Sequence, residues 1–498
     1  MAATRRRIAV LTGAALAAAP ALSPLRADDL RDALLTAYNT NPTLQGARAS
    51  QRATDEQVPI ERAAGLPNAS AAATHTEILK DSSAGNTVGA ASFGPSRQLS
   101  GSVSLGVPIY SGGAVKNAVR AAETRVQAGQ ASLRGTESSV FSQVVAAYMD
   151  VILDQAVVGL NRGNVQVLEV NLRATRDRFE IGELTRTDVA QSESRLAIAR
   201  SDTQTAESNL ISARERYIEV VGKPPVDLQT PPPLPNLPAT PDAAVAVALD
   251  NNPDLAAARE RTRASGYDVK VASASRLPRV QVFSGGSYTN YFGSLGGAAS
   301  SAFAQSGSGV TAGVQLNVPL FQGGRPAAQR RQAQDREAAA MEAEIGTERD
   351  IIAQVRSAFA AWRASNETIA SNQTAVDAAA LSLEGVRAEN SVGNRTILDI
   401  LNAEQDLLNT QVRLVTARRN AYVAGFTLIA AMGYAQARDL GLDGGALYDP
   451  NVNYQRVRHK IWDWSNDPAP TPKSTRTVDT PAQNGAIPPS AVAPVPGV

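Results

Sequence analysis

The sequence predicts an α+β membrane protein built from one large structural module that occurs twice. The chain matches itself at a constant offset of 211 positions, as Pro42 and Pro253 show. Two windows of more than 100 residues lack proline, which helix interiors exclude, and space their apolar residues helically. An alternating segment of about 11 residues precedes each window, as in a membrane-spanning strand.

The internal duplication sets the expected domain organisation. Asn41-Pro42 matches Asn252-Pro253 and Gly182 matches Gly393, with no drift in the offset. Each copy is far longer than a solenoid repeat, so we expect two halves of one composite fold. The expected boundaries are 28–222 for the first repeat, 223–241 for a proline-rich linker, 242–433 for the second repeat, 434–465 for a C-terminal segment and 466–498 for a disordered proline-rich tail.

Residues 1–27 have the features of a secretory signal peptide. Arg5–Arg7 form a basic start, Ile8–Ala19 form a short apolar run, and Ala27 precedes a plausible cleavage point. Leu25 is larger than the residue expected near such a point, which leaves the exact cleavage site open. The apolar run is too short for a membrane anchor, so we expect export of the mature chain.

Composition argues against an enzyme and against nucleic-acid binding. The chain has no cysteine and only two histidines, His75 and His459, and no motif brings a nucleophile to a base. We therefore expect no catalytic residue, no cofactor and no metal site. The 48 basic and 47 acidic residues leave a net charge of +1, which provides no field to attract nucleic acid.

Each proline-free window predicts an antiparallel helical hairpin. The windows extend from Ile109 to Lys223 and from Ala327 to Asp449, and each breaks once, at Gly182 or Gly393. Glycine ends a helix, and the Thr and Asp residues that follow can cap the next one. We expect hairpins over about 113–222 and 324–433, with a first arm roughly 100 Å long at about 1.5 Å per residue.

A β-hairpin is expected immediately before each helical hairpin, over about 67–110 and 278–321. Apolar and polar residues alternate from Leu99 to Ile109 and from Val310 to Leu320. This pattern fits a transmembrane strand, but it also fits a half-buried hairpin of a soluble protein. Four strands cannot close a barrel alone, so strands in a membrane would require several chains to share one barrel.

Each strand passes into its helix through a proline and a pair of glycines. The glycine pairs could be mistaken for phosphate-binding loops, but a kink where strand becomes helix is the better interpretation. The junction residues are Pro108, Gly112 and Gly113 in the first copy and Pro319, Gly323 and Gly324 in the second.

In this order the motifs resemble those of the TolC family of outer-membrane channel proteins. The resemblance is carried by the Asn-Pro pairs, the two strand-to-helix junctions and the turns Gly182–Asp188 and Gly393–Asp399. It covers about Asp28 to Tyr454. Each motif is weak alone, but their order, repeated twice, is specific.

The resemblance implies a trimer whose twelve shared strands form a barrel in the outer membrane. The helices would continue as a long periplasmic coiled-coil barrel, with residues 434–465 near its equator. The implied function is an exit duct for tripartite efflux or type I protein secretion. The implied partners are two further copies of the chain, a periplasmic adaptor (membrane fusion) protein, an inner-membrane transporter and outer-membrane lipid.

The resemblance also implies a periplasmic gate at the hairpin turns. Thr187 and Asp188 match the family's acceptor positions, and Arg395 matches its basic partner. Asn390 stands where the family has a tyrosine, so that link is weakened or changed. The alternative for Asp188 is helix capping, which its place at a helix start also explains.

Two further positions match the acidic lining of the channel entrance. Asp399 matches one acid, whereas Asn402 replaces the second, so we expect less negative charge at this aperture. Capping is again the alternative for Asp399. For the whole chain, the alternative to a channel is a periplasmic coiled-coil scaffold or adhesin whose strands form a small cap.

Overall fold

A computed structural model describes residues 29–79, 95–235, 237–295, 304–442 and 447–487. The expected signal peptide, residues 1–27, and the last eleven residues of the expected tail lie outside these ranges. The helices are α1 Leu30–Thr40, α2 Pro42–Asp55, α3 Gln57–Ala63, α4 Ala114–Glu180, α5 Arg186–Val221, α6 Pro241–Asn251, α7 Pro253–Ala274, α8 Arg325–Ser391, α9 Ile397–Ala431 and α10 Pro450–Val457. The strands are β1 Asn68–Glu77, β2 Arg97–Tyr110, β3 Arg279–Asn290 and β4 Ser306–Asn317.

The duplication predicted from sequence is present in the fold. The long helices α4 and α8 both contain 67 residues, and both of their ends differ by the offset of 211 positions. Each packs antiparallel against the next helix of its repeat, α5 or α9. The expected fold class, an internally duplicated α+β chain with four strands and two long helical hairpins, is confirmed.

The two Asn-Pro pairs tie the short helices to the ends of the helical hairpins. Asn41 caps α2 by accepting from the backbone of Thr43 and Leu44, and its Nδ2 donates to Val220 O at 2.8 Å. Asn252 caps α7 in the same way and donates to Ala431 O at 2.9 Å. Asparagine favours this cap position, and proline fits the first helical position because its missing N–H needs no partner there.

The four strands form one antiparallel sheet in the order β1-β2-β3-β4. The central β2–β3 pair joins the two repeats, with Val103 opposite Gly286. The register shifts between Pro108 and Tyr110, where β2 approaches its helix. β1 and β4 are the edges of the sheet within one chain.

The second predicted strand ends earlier than the sequence indicated. β4 stops at Asn317, so Pro319 and Leu320 lie outside the strand, and Leu320 is 92% exposed. Proline cannot donate a ladder hydrogen bond, and β4 has no neighbour on its outer side within one chain. The hairpin expected over about 278–321 is therefore strand only from Arg279 to Asn317 in a single chain.

The main core lies where the hairpins meet the short helices. Phe141, Val144 and Tyr148 of α4 are fully buried there, together with Tyr217 of α5 and Leu428 of α9. A stretch of α4 is long and apolar enough to pass a compositional test for a membrane span. Since α4 supplies the centre of this core, we interpret that stretch as a core helix.

The expectation of a disordered tail is wrong for residues 475–487. These residues lie along α4 and α5, where Arg162 and Arg214 donate to the carbonyls of Asn484, Gly485 and Ala486. Alternate residues of this segment turn toward the helices, since 483, 485 and 487 are half-buried and 482, 484 and 486 are exposed. Hydrogen bonds from distant arginines order a segment whose own composition favours disorder.

Candidate functional site: the turns of the helical hairpins

Both hairpin turns are built on a glycine in the left-handed region. Gly182 has φ +84° and Gly393 has φ +82°. The N–H of Glu183 donates to Arg178 O, and that of Asn394 donates to Glu389 O, both at 2.9 Å. These bonds satisfy carbonyls at the ends of α4 and α8 and reverse the chain. The two predicted tip turns therefore share one geometry.

The helices that follow begin with the same capping box. Asp188 accepts from the backbone N–H of Thr185 at 2.9 Å, and Thr185 Oγ1 accepts from Asp188 N at 3.3 Å. Asp399 and Thr396 repeat both bonds at the same distances. Hydrogen bonds from Thr396 lower the pKa of Asp399, so its carboxylate is ionised at neutral pH. Both acids act as helix caps in the folded chain, which is the alternative that the sequence left open.

The basic residue expected at the gate has a partner within its own turn. The Nε of Arg395 donates to Glu389 Oε2 at 2.7 Å, and this contact raises the pKa of Arg395. Asn390, which stands at the family's tyrosine position, donates to Arg395 O at 2.7 Å. Thr187 is exposed on the first turn of α5. Within one chain, the turn thus fixes the backbone and side chain of Arg395 locally.

One predicted entrance residue links the two hairpins. Asn402 on α9 accepts from Arg195 Nη2 on α5 at 2.6 Å. Asp399 lies three residues before Asn402, so the carboxylate and the amide bound by Arg195 lie on the same face of α9. Arg195 therefore places a positive charge beside Asn402, close to the carboxylate of Asp399 along the helix.

A buried carboxylate near the turns was missed by the sequence analysis. Glu404 on α9 is 5% exposed and accepts from Asn171 of α4 at 2.8 and 3.0 Å and from Arg387 of α8 at 3.0 Å. A small apolar cluster that includes Leu172 and Leu401 lies beside it. The sequence contains one sign of this pair: Arg176 and Glu193 recur as Arg387 and Glu404 at the offset of 211 positions.

The glycine pairs at the two predicted junctions adopt the left-handed conformation just before α4 and α8. Gly112 and Gly113 have φ +66° and +79°, and Gly323 and Gly324 have φ +59° and +82°. A Cβ on Gly112 would lie 2.7 Å from Leu277 Cβ, so this position also requires glycine for space. Pro108 lies inside β2, opposite Gln281. Across the described ranges, no group of three His, Asp or Glu side chains could hold a metal ion.

Comparison with known proteins decides the family. The sequence profile of the outer membrane efflux protein family matches residues 34–223 and 244–434, one match for each repeat. The chain belongs to the outer membrane efflux protein family. It is 33% identical over 454 residues to outer membrane efflux protein BepC of Brucella suis, covering 91% of this chain and 94% of BepC. It is 26% identical to outer membrane protein TolC of Escherichia coli, covering 90% of each chain.

A solved structure agrees with the fold. A crystal structure of CusC superimposes with a TM-score of 0.69 at 20% identity, covering 81% of this chain and 92% of CusC. The resemblance to the TolC family is therefore confirmed, and with it an outer-membrane location and a channel function in efflux or secretion. The alternative, a coiled-coil scaffold without a channel, is not favoured. The family consists of ducts rather than enzymes.

Proposed function

We propose that three copies of this chain assemble into a passive duct that carries cargo across the periplasm and the outer membrane. The duct has no catalytic role, and a periplasmic adaptor and an inner-membrane transporter supply the cargo and the energy. The observation that carries this proposal is the four-stranded sheet with two open edges, β1 and β4. Open edges are not tolerated in lipid, and three such sheets would close a barrel of twelve strands.

The duplication supports assembly because the second repeat lacks packing that the first repeat has. α4 packs against α7 and α9 of the other repeat, but α8 has no comparable contact with α2, α3 or α5 in the described chain. Accordingly, 22 residues of α4 are buried and only 7 of α8, although both helices contain 67 residues. A second copy would supply the missing neighbours of α8.

The offset identifies contacts expected at this seam between copies. Arg195 and Asn402 link the two repeats within one chain. Adding 211 to position 195 gives Asp406, and subtracting 211 from position 402 gives Gln191. Asp406 of one copy should therefore lie near Gln191 of the next.

Cysteine cross-linking tests the assembly without background, because the chain contains no cysteine. We expect the double variant Q191C/D406C, extracted in detergent and treated with a short bis-maleimide, to migrate as covalent dimers and trimers. The matched control R195C/N402C should give links within one chain and migrate as a monomer. Reactive cysteines in Q191C/D406C that leave only monomers would exclude this seam and the proposed ring.

The gate proposal concerns the turns at the periplasmic end of this ring. We infer that Arg395 reaches Thr187 and Asp188 of a neighbouring hairpin and that Asp399 and Asn402 line the entrance. Exposed ion pairs contribute only about 0–1 kcal/mol each, so a threefold set would bias an aperture that a docking partner can still open. The pairing of Arg395 with Glu389 supports a guanidinium held in place at the turn.

Conductance in planar bilayers tests this gate. Arg395→Ser and Asp188→Asn should each raise single-channel conductance above wild type, because either change removes one side of the link. The double variant should add little to either single change. Arg178→Gln is the matched control, since it removes an exposed arginine at the other turn, paired with Glu183, that the proposed link does not use. Wild-type conductance in both single variants would restrict these residues to capping and local pairing.

A further inference from the structure

The C-terminal segment 475–487 runs along the first helical hairpin in a defined direction. Thr475 lies beside Gly222 at the end of α5, and Gly485 lies against Glu207, four turns earlier. The N–H of Gln483 donates to Glu215 Oε1 at 3.0 Å between these two points. The segment, which we call the strap, therefore descends antiparallel to α5.

Two arginines bind three consecutive backbone carbonyls of the strap. Arg214 donates to Asn484 O and, at 2.6 Å, to Ala486 O. Arg162 donates to Gly485 O at 3.0 Å, and Glu207 holds this guanidinium through a 2.6 Å ion pair. Arg214 is only 8% exposed, so the strap carbonyls replace water around a buried charge.

The groove around Arg162, Glu207 and Arg214, which we call the seat, also restricts the side chains of the peptide that it holds. A Cβ on Gly485 would lie 2.9 Å from Glu207 Cβ, a backbone-proximal atom that cannot swing away. Two residues later, Ile487 packs against the main core. The seat therefore fits a peptide that bends at a central glycine and has an apolar residue two positions further on.

The second hairpin has no such seat. At the offset of 211, Gln373, Arg418 and Gly425 replace Arg162, Glu207 and Arg214. Arg418 donates to Gln373 Oε1 at 3.2 Å, so this pair is satisfied within its own hairpin. Gly425, at the position equivalent to Arg214, has no side chain to bind a peptide. Leu234 of the linker fills the space there, 2.7 Å from where a Cβ would lie.

We propose that the groove of α4 and α5 around Arg162 and Arg214 is a peptide-binding site whose ligand is the chain's own segment 483–487. The strap makes the two hairpins chemically different although their helices are equivalent. A protein that approaches the hairpins meets the bound strap on the first and a different surface, with Leu234 of the linker at Gly425, on the second.

Disulfide formation in the full-length chain tests the seat. In the variant E207C/G485C the two Cβ atoms would start 2.9 Å apart, about 1 Å closer than in a disulfide, so a small outward shift of the strap allows the bond. Mild oxidation should therefore produce an internal disulfide and a mobility shift on non-reducing gels. The matched control R418C/G485C uses the equivalent position of the second hairpin and should not link. Equal linking of both pairs, or linking of neither, would overturn the proposal.

Competition by a free peptide shows whether the groove binds the strap specifically or only lies next to it. A synthetic peptide of residues 477–487, added in excess to E207C/G485C, should slow disulfide formation several-fold, and the same peptide with Gly485→Val should not. Adding Arg214→Ala to E207C/G485C should also slow linking, whereas adding Arg216→Ala, an exposed neighbour paired with Glu219, should leave it unchanged. If the peptide or Arg214→Ala left the rate of disulfide formation unchanged, the groove would not be a binding site.

Discussion

The same ion pair occurs in both repeats but in different surroundings. Arg176–Glu193 in the first hairpin and Arg387–Glu404 in the second occupy equivalent positions. The side chain of Glu193 is 49% exposed, whereas that of Glu404 is 4% exposed and also accepts from Asn171. Glu404 is thus a buried connection between the hairpins of one chain, whereas Glu193 is half-exposed in the single chain.

Glu404→Gln should destabilise the chain measurably. Glutamine has the shape of glutamate but no charge, and the Glu404 carboxylate accepts three hydrogen bonds. Hydrogen bonds to charged groups contribute about 1.5–3 kcal/mol. We expect a loss of about 1–3 kcal/mol, measured by denaturant unfolding of the detergent-extracted protein. Glu367→Gln is the control, because its pair with Arg363 is exposed and such pairs contribute about 0–1 kcal/mol. Equal effects of the two variants would show that Glu404 does not join the hairpins.

At the scale of elements, the hairpin turns are the part that local sequence chemistry determines most completely. Glycine in the left-handed region followed by a Thr-Asp capping box needs only neighbouring residues, so both turns could be predicted from the sequence. The burial of Glu404 could not, because it depends on how two separate hairpins pack. The strap could not be predicted either, since its partners lie about 270 or more positions away along the chain.

Gly182→Ala and Gly393→Ala should each cost about 1 kcal/mol or more, because alanine resists a positive φ. No atom lies within 4 Å of a Cβ at either position, so the cost is conformational rather than steric. Gly163→Ala, in the interior of α4 and equally free of neighbours, should instead stabilise by about 0.5–1 kcal/mol. Denaturant unfolding measures all three. Effects of the same sign at the turns and at Gly163 would contradict this explanation.

At the scale of the whole molecule, the sheet presents apolar side chains to its surroundings. Val310, Val314 and Leu316 of β4 are 83%, 69% and 61% exposed, and Val103 of β2 is 60% exposed. Gln315 alternates with them and points to the opposite face. A soluble cap would bury such residues, whereas a barrel in lipid exposes them and keeps the polar face toward its interior.

Val314→Arg should therefore impair insertion and assembly, and Gln315→Arg should not. An arginine on the lipid face costs about 2–4 kcal/mol near the middle of the bilayer, and a ring of three chains meets this cost three times. On the inner face the same charge remains in water. The yield of covalent trimer from outer membranes, obtained with the Q191C/D406C cross-link, measures both variants in one assay. Because the two positions are adjacent on one strand, the difference in trimer yield reports which face of the sheet carries the arginine. Equal yields would mean that β4 does not contact lipid, and the sheet would then have to be a covered cap.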